Sequence, residues 1–146
     1  MLQPFDDTYF MKKALEEARI AFKEDEIPVG AVIVSRNKII ARSHNMTERL
    51  NDVTAHAEMQ AITAAADYLG GKYLQNCTLY VTLEPCQMCA GALYWSQISK
   101  IVFAAPDPKR GYRALKAQLH PKTEVKTGVL EEESRALLLQ YFKEKR

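Results

Sequence analysis

Residues 77–89 read Cys77-Thr78-Leu79-Tyr80-Val81-Thr82-Leu83-Glu84-Pro85-Cys86-Gln87-Met88-Cys89, and this stretch decides the fold. Cys77 to Leu83 is a run of β-branched and large apolar residues and predicts a strand. Pro85 follows, a residue suited to open a helix because the first helical N–H has no intrahelical partner to lose. The helix is predicted to continue to about Gln97. A strand feeding directly into a helix is half of an α/β unit. Cys86 and Cys89 stand three apart on that helix, so their sulfurs share a face. Both fall in its first turn, where the dipole favours thiolate over thiol.

The same alternation extends in both directions. Downstream, Lys100 to Ala105 predicts a further strand. Residues 106–123, rich in Pro, Gly and basic side chains, predict a loop with at most one helical turn. Glu124 to Thr127 reads as a short fifth strand. Glu131 to Lys145 reads as a closing helix, with acids first and bases last as the dipole prefers. Upstream, Phe5 to about Glu24 is an amphipathic helix with Phe10, Ala14, Ala18, Ala21 and Phe22 on one side. Val29 to Ser35 and Ile39 to Ser43 form a hairpin around Arg36-Asn37-Lys38. Asp52, Val53 and Thr54 lead into a helix that ends at Leu69 before Gly70-Gly71. The order predicts one α/β domain over residues 1–146: a three-layer α/β/α sandwich around a central mixed five-stranded sheet.

Composition agrees with an ordinary globular chain. Of 146 residues, 47% are apolar and 26% charged, and no apolar run approaches the roughly 20 residues that span a bilayer. The first residues lack a basic stretch followed by an apolar one, so the expected location is cytoplasmic. A net charge of +2 does not by itself indicate a nucleic-acid partner. Local basic clusters exist at Lys109, Arg110, Arg113 and Lys116, and at Lys143, Lys145 and Arg146; from charge alone each is a solvated face. Three cysteines without an export signal argue against a disulfide framework and for metal or redox use of the C-x-x-C pair.

His56-Ala57-Glu58 opens the predicted helix before residue 77. Together with Cys86 and Cys89, His56 supplies three ligands of zinc type, the number that leaves a catalytic zinc one position for water. Cys77 is a candidate for a fourth ligand that would close the site. It lies at the far end of its strand, roughly 20 Å from the end that feeds Cys86 at about 3.3 Å per residue, and reads as a small buried apolar residue. Zinc lowers the pKa of bound water from about 15.7 to about 7. Glu58, two residues beyond His56, is placed to take the water's proton and return it to a substrate nitrogen and a leaving amine. The competing reading is a purely structural zinc with Glu58 as a solvated helix-start acid.

At these residues the chain resembles the cytidine-deaminase-like superfamily, and within it the bacterial tRNA-specific adenosine deaminases; the metal-site pattern is the general one of zinc deaminases. The resemblance runs from about Asp7 to the C-terminus. It is carried by Ile27-Pro28-Val29-Gly30-Ala31-Val32-Ile33-Val34, His44-Asn45, Thr54-Ala55-His56-Ala57-Glu58 and the stretch from Leu79 to Ala92. It implies one Zn2+ per subunit and hydrolytic conversion of adenosine to inosine at the wobble position of a tRNA anticodon. It also implies a homodimer that holds the anticodon stem-loop. It assigns Asn45 to the flipped nucleotide, and Asp107 and Lys109 match the loop pattern that follows the fourth strand. Tyr141-Phe142-Lys143 matches the tRNA-touching end of the last helix, with Leu138 and Tyr141 expected inward and Phe142 and Lys143 outward. The chain departs from the family at Ala104, usually glycine, and at Tyr112-Arg113-Ala114-Leu115, usually small residues. Leu93-Tyr94-Trp95 is similar to guanine deaminases. Two alternatives therefore stand beside tRNA editing: a free nucleobase deaminase, and a non-catalytic zinc module that binds RNA.

Overall fold

The computed structural model describes residues 5–145; Arg146 of the basic C-terminal cluster lies outside them. Four helices and five strands follow one another as α1 (Asp7–Lys23), β1 (Gly30–Ser35), β2 (Lys38–His44), α2 (Ala57–Leu69), β3 (Cys77–Leu83), α3 (Gln87–Ser96), β4 (Lys100–Ala105), β5 (Glu124–Thr127) and α4 (Glu131–Glu144). The strands form one mixed sheet in the order β2-β1-β3-β4-β5. β1 is antiparallel to β2 and β3, and β3, β4 and β5 run parallel.

Period-two alternation divides the strands between two cores. Ala31, Ile33, Leu79, Val81, Ile101 and Phe103 pack with Ala57, Ala61, Ala65 and Leu93 of α2 and α3. Val32, Val34, Tyr80, Val102 and Ala104 pack with Phe10, Met11 and Ala14 of α1 on the opposite face. This is the expected three-layer sandwich. Gly30 admits α1 to the start of β1, because a Cβ there would stand 2.1 Å from the Ala14 carbonyl oxygen.

The local differences have physical reasons. The hairpin turn is the two residues Arg36 and Asn37, both at positive φ (53° and 62°), and Lys38 already pairs with Ser35. That backbone is the primed turn whose twist suits a hairpin. Helix α2 starts at Ala57, because the Asp52 carboxylate engages the Thr54 N–H (2.8 Å) and hydroxyl (2.8 Å) in a local turn. Helix α3 starts at Gln87, so Pro85 precedes the N-cap instead of opening the helix. Its carbonyl is used elsewhere, accepting the Tyr112 N–H at 2.8 Å. The loop after β4 folds into successive turns between residues 108 and 116.

Candidate metal centre

His56 and Cys86 are the N-caps of α2 and α3, and neither side chain caps its own helix. They turn toward each other instead. His56 Nδ1 lies 3.6 Å from Cys86 Sγ and 3.5 Å from Cys89 Sγ. The start of α2 is pinned by the Ser43 hydroxyl, which donates to the Ala57 carbonyl at 2.6 Å. Two helix N-termini thus face one point at the carboxyl end of β3, where their dipoles favour anions.

The donors fit zinc. The three ligand atoms lie within 4.8 Å of one another. Tetrahedral zinc with Zn–S near 2.3 Å and Zn–N near 2.05 Å requires N···S separations of about 3.6 Å, and both observed N···S distances match. The three donors shift one another. A hydrogen bond from the Cys89 thiol, offset in part by burial and reinforced by His56, brings Cys86 down to about 4. The same hydrogen bond, with burial, pushes Cys89 upward. Hydrogen bonding to Cys86 raises His56 against the effect of its burial. Cys77 is buried at the start of β3 and is absent from the metal group; burial raises its thiol above the usual range.

Glu58 lies in the first turn of α2 with 4% of its surface exposed. Burial pushes its carboxyl up to about 7, opposed by its own backbone N–H and by the His56 charge. A carboxyl poised near neutrality beside a metal site suits proton transfer in both directions.

A cavity of about 170 Å³ opens on these residues, lined by Asn45, His56, Glu58, Glu84, Cys86, Asp107 and Arg110 with Ile27, Val29, Ala57 and Leu83. Asn45 is buried there, its backbone N–H held by the Val29 carbonyl at 3.0 Å. Asp107 lines the cavity and also shapes its loop, accepting the Lys109 and Arg110 N–H groups at 3.2 and 3.0 Å. Lys109 is exposed and does not line the cavity; its neighbour Arg110 does. Phe142 and Lys143 are exposed on α4, away from the cavity lining, while Leu138 and Tyr141 are partly buried.

Four acids escaped the sequence reading. Glu84 is buried and lines the cavity; its carboxylate accepts the backbone N–H groups of Asp107 and Arg113 and the Arg113 guanidinium. Glu26 is 1% exposed and accepts the N–H groups of Glu48 and Arg49. Glu17 and, on the opposite ring nitrogen, Glu24 flank His44 at 3.0 and 2.9 Å, so that histidine is tightly held. Their partners lie in distant segments of the chain, which leaves no local sequence signal; only Glu84, set between a strand and Pro85, stood in a suggestive place.

Residues 5–105 match the family of the cytidine and deoxycytidylate deaminase zinc-binding region. A tRNA-specific adenosine deaminase of Agrobacterium fabrum is 46% identical over 145 residues, covering 95% of each chain. A solved structure from work on A-to-I editing by tRNA:A34 deaminases at the wobble position of transfer RNA superposes with a TM-score of 0.84. It is 45% identical and covers 90% of this chain and 99% of that one. A guanine deaminase of Nitrosomonas europaea superposes at 0.81 with 27% identity, over 97% of this chain and 85% of that one. With this match over residues 5–105 and a relative 46% identical along 95% of each chain, the protein belongs to the cytidine and deoxycytidylate deaminase zinc-binding family, alongside the tRNA-specific adenosine deaminases.

Proposed function

We propose that this protein hydrolyses adenosine to inosine at the wobble position of a tRNA anticodon, releasing ammonia. The observation that carries the reading is the buried Glu58 carboxyl beside the His56–Cys86–Cys89 group, in a chain nearly half identical to a tRNA-specific adenosine deaminase along its length. His56, Cys86 and Cys89 would hold the zinc, which would supply a water acidic enough to ionise near neutral pH. Glu58 takes one proton from the attacking water at a carboxylate oxygen and delivers it to the adenine ring nitrogen; it then takes the second proton from the hydroxyl left on the ring carbon and delivers it to the amine, so that the C–N bond breaks, ammonia leaves and the carbonyl of inosine forms. Asn45 and Asp107 face the cavity and position the nucleotide. Phe142 and Lys143, exposed on α4, contact the stem-loop outside the cavity.

The protein acts as a homodimer in the cytoplasm on this reading. Trp95 (76% exposed) and Val53 (83%) are apolar surface of the kind a second copy covers. No helix among the described residues is long and apolar enough to cross a membrane.

The test is incubation with an unmodified anticodon stem-loop carrying a wobble adenosine, alongside free adenine, guanine and cytosine. Inosine in the RNA is the expected product. The structural likeness to a guanine deaminase favours free-base deamination as the second reading; ammonia released from guanine, with the RNA untouched, would establish it instead.

A further inference from the structure

The turns at residues 108–116, after β4, carry four basic residues, and the fold separates two of them. Arg113 is exposed but reaches a buried partner. Its Nε lies 3.2 Å from Glu84 Oε2 and its Nη2 lies 2.9 Å from Oε1, a two-point grip on a buried carboxylate. Its guanidinium also covers the Phe103 ring, with Cζ 5.0 Å from the centroid. Glu84 takes the Asp107 N–H at 3.0 Å as well. The loop closes on this carboxylate only through glycine, because a Cβ at Gly111 would stand 2.4 Å from Glu84 Cδ. Gly111 also bridges to Cys86, so the loop is fastened to the metal-binding segment.

Arg110 lies on this fastened stretch, with its backbone N–H on Asp107 Oδ1 at 3.0 Å. It lines the cavity and is exposed. Unlike Arg113, it enters no ion pair among the described residues. A cation carried into the cavity lining by a loop tied at Glu84 and Asp107, and ion-paired with no side chain among the described residues, is placed for an anion of the substrate. A base within a polynucleotide has a phosphate beside it; a free base has none.

Resting on the tRNA-deaminase reading, we infer that Arg110 is a specificity-determining residue that binds a backbone phosphate next to the target base, and that the Glu84–Arg113 ion pair positions it. Arg113 therefore acts through Arg110.

The experiment is steady-state kinetics on the anticodon stem-loop across a salt series for the wild type, Arg110→Gln, Arg113→Ala and the double variant, with zinc content and melting temperature measured for each. Arg110→Gln is expected to raise KM about ten-fold, leave kcat within about two-fold, and lower the slope of log KM against log salt by about 0.7. Arg113→Ala raises KM in the same direction and adds nothing once Arg110 is gone. Arg113→Lys, which keeps charge without the two-point grip, shows the same KM rise if Arg113→Ala fails to fold. Unchanged KM and salt slope in Arg110→Gln overturn the phosphate assignment. Independent, additive effects of the two arginines overturn the positioning role. A wild type that deaminates free bases and leaves the stem-loop untouched overturns the tRNA reading itself, a result visible before any variant is made.

Discussion

The Glu26 carboxylate, buried between α1 and β1, receives the Arg49 backbone N–H at 2.7 Å. It receives the Glu48 N–H at 3.0 Å as well. These bonds fix the turn that follows Asn45, a cavity residue. Glu26→Ala leaves two amide donors without their acceptor. The expected cost is about 1–3 kcal/mol of stability, with a rise in KM as Asn45 loses its support. Thermal melting and stem-loop kinetics check both; an unchanged melting temperature would remove Glu26 from this role.

Glu58→Ala separates metal binding from proton transfer. The variant is expected to keep stoichiometric zinc, since Glu58 is outside the ligand group, and to lose at least about 100-fold in kcat. Metal analysis beside single-turnover deamination reads the two effects. Full turnover with full zinc would remove Glu58 from the chemistry.

Cys86→Ala and Cys77→Ala should behave in opposite ways. The first deletes one of three converging ligand atoms and is expected to lose zinc; the second alters a buried core position and keeps it. Its cost is a small cavity, about 1 kcal/mol of stability. Metal content after gel filtration decides, and zinc loss on removing Cys77 would contradict the three-ligand site.

Asp7 gives a pH signature. Burial opposes its charge, but hydrogen bonds from Lys126 (2.7 Å) and from the Tyr80 hydroxyl (2.6 Å) hold its carboxyl below the ordinary value of 3.8. A depressed folded value contributes stability above the ordinary pKa, and that contribution is lost as pH falls through the folded value. Asp7→Asn is therefore expected to lower the melting temperature by about 2 °C at neutral pH, a modest figure because the group is partly solvated. The gap should close in acid below pH 3.8. A gap independent of pH would show that charge is not what matters at this position.

Much of this architecture was legible in the sequence because its signals are local. The run of β-branched and apolar residues from Cys77 to Leu83 marked a strand, and the C-x-x-C pair lies within a single turn. The helix starts were displaced by a few residues because an N-cap has extended backbone, which periodicity does not register. His56 and Cys86 are such caps. The ties around the cavity were invisible for a different reason. Glu84 and Arg113 are 29 residues apart, and Glu26 and Arg49 are 23 apart, so only the folded chain brings them together. Lys109 and Arg110 are adjacent, and which of them lines the cavity depends on turn geometry set by Asp107.

The strand order leaves β2 and β5 as the two margins of the sheet. Each carries charge outward: Lys38 and Arg42 on β2, Glu124 and Lys126 on β5, all exposed. Unpaired strand margins are templates on which a second molecule can add its own strand, and charged side chains there discourage it. The protein is thereby guarded against growing into a continuous intermolecular sheet or an aggregate seeded from a margin.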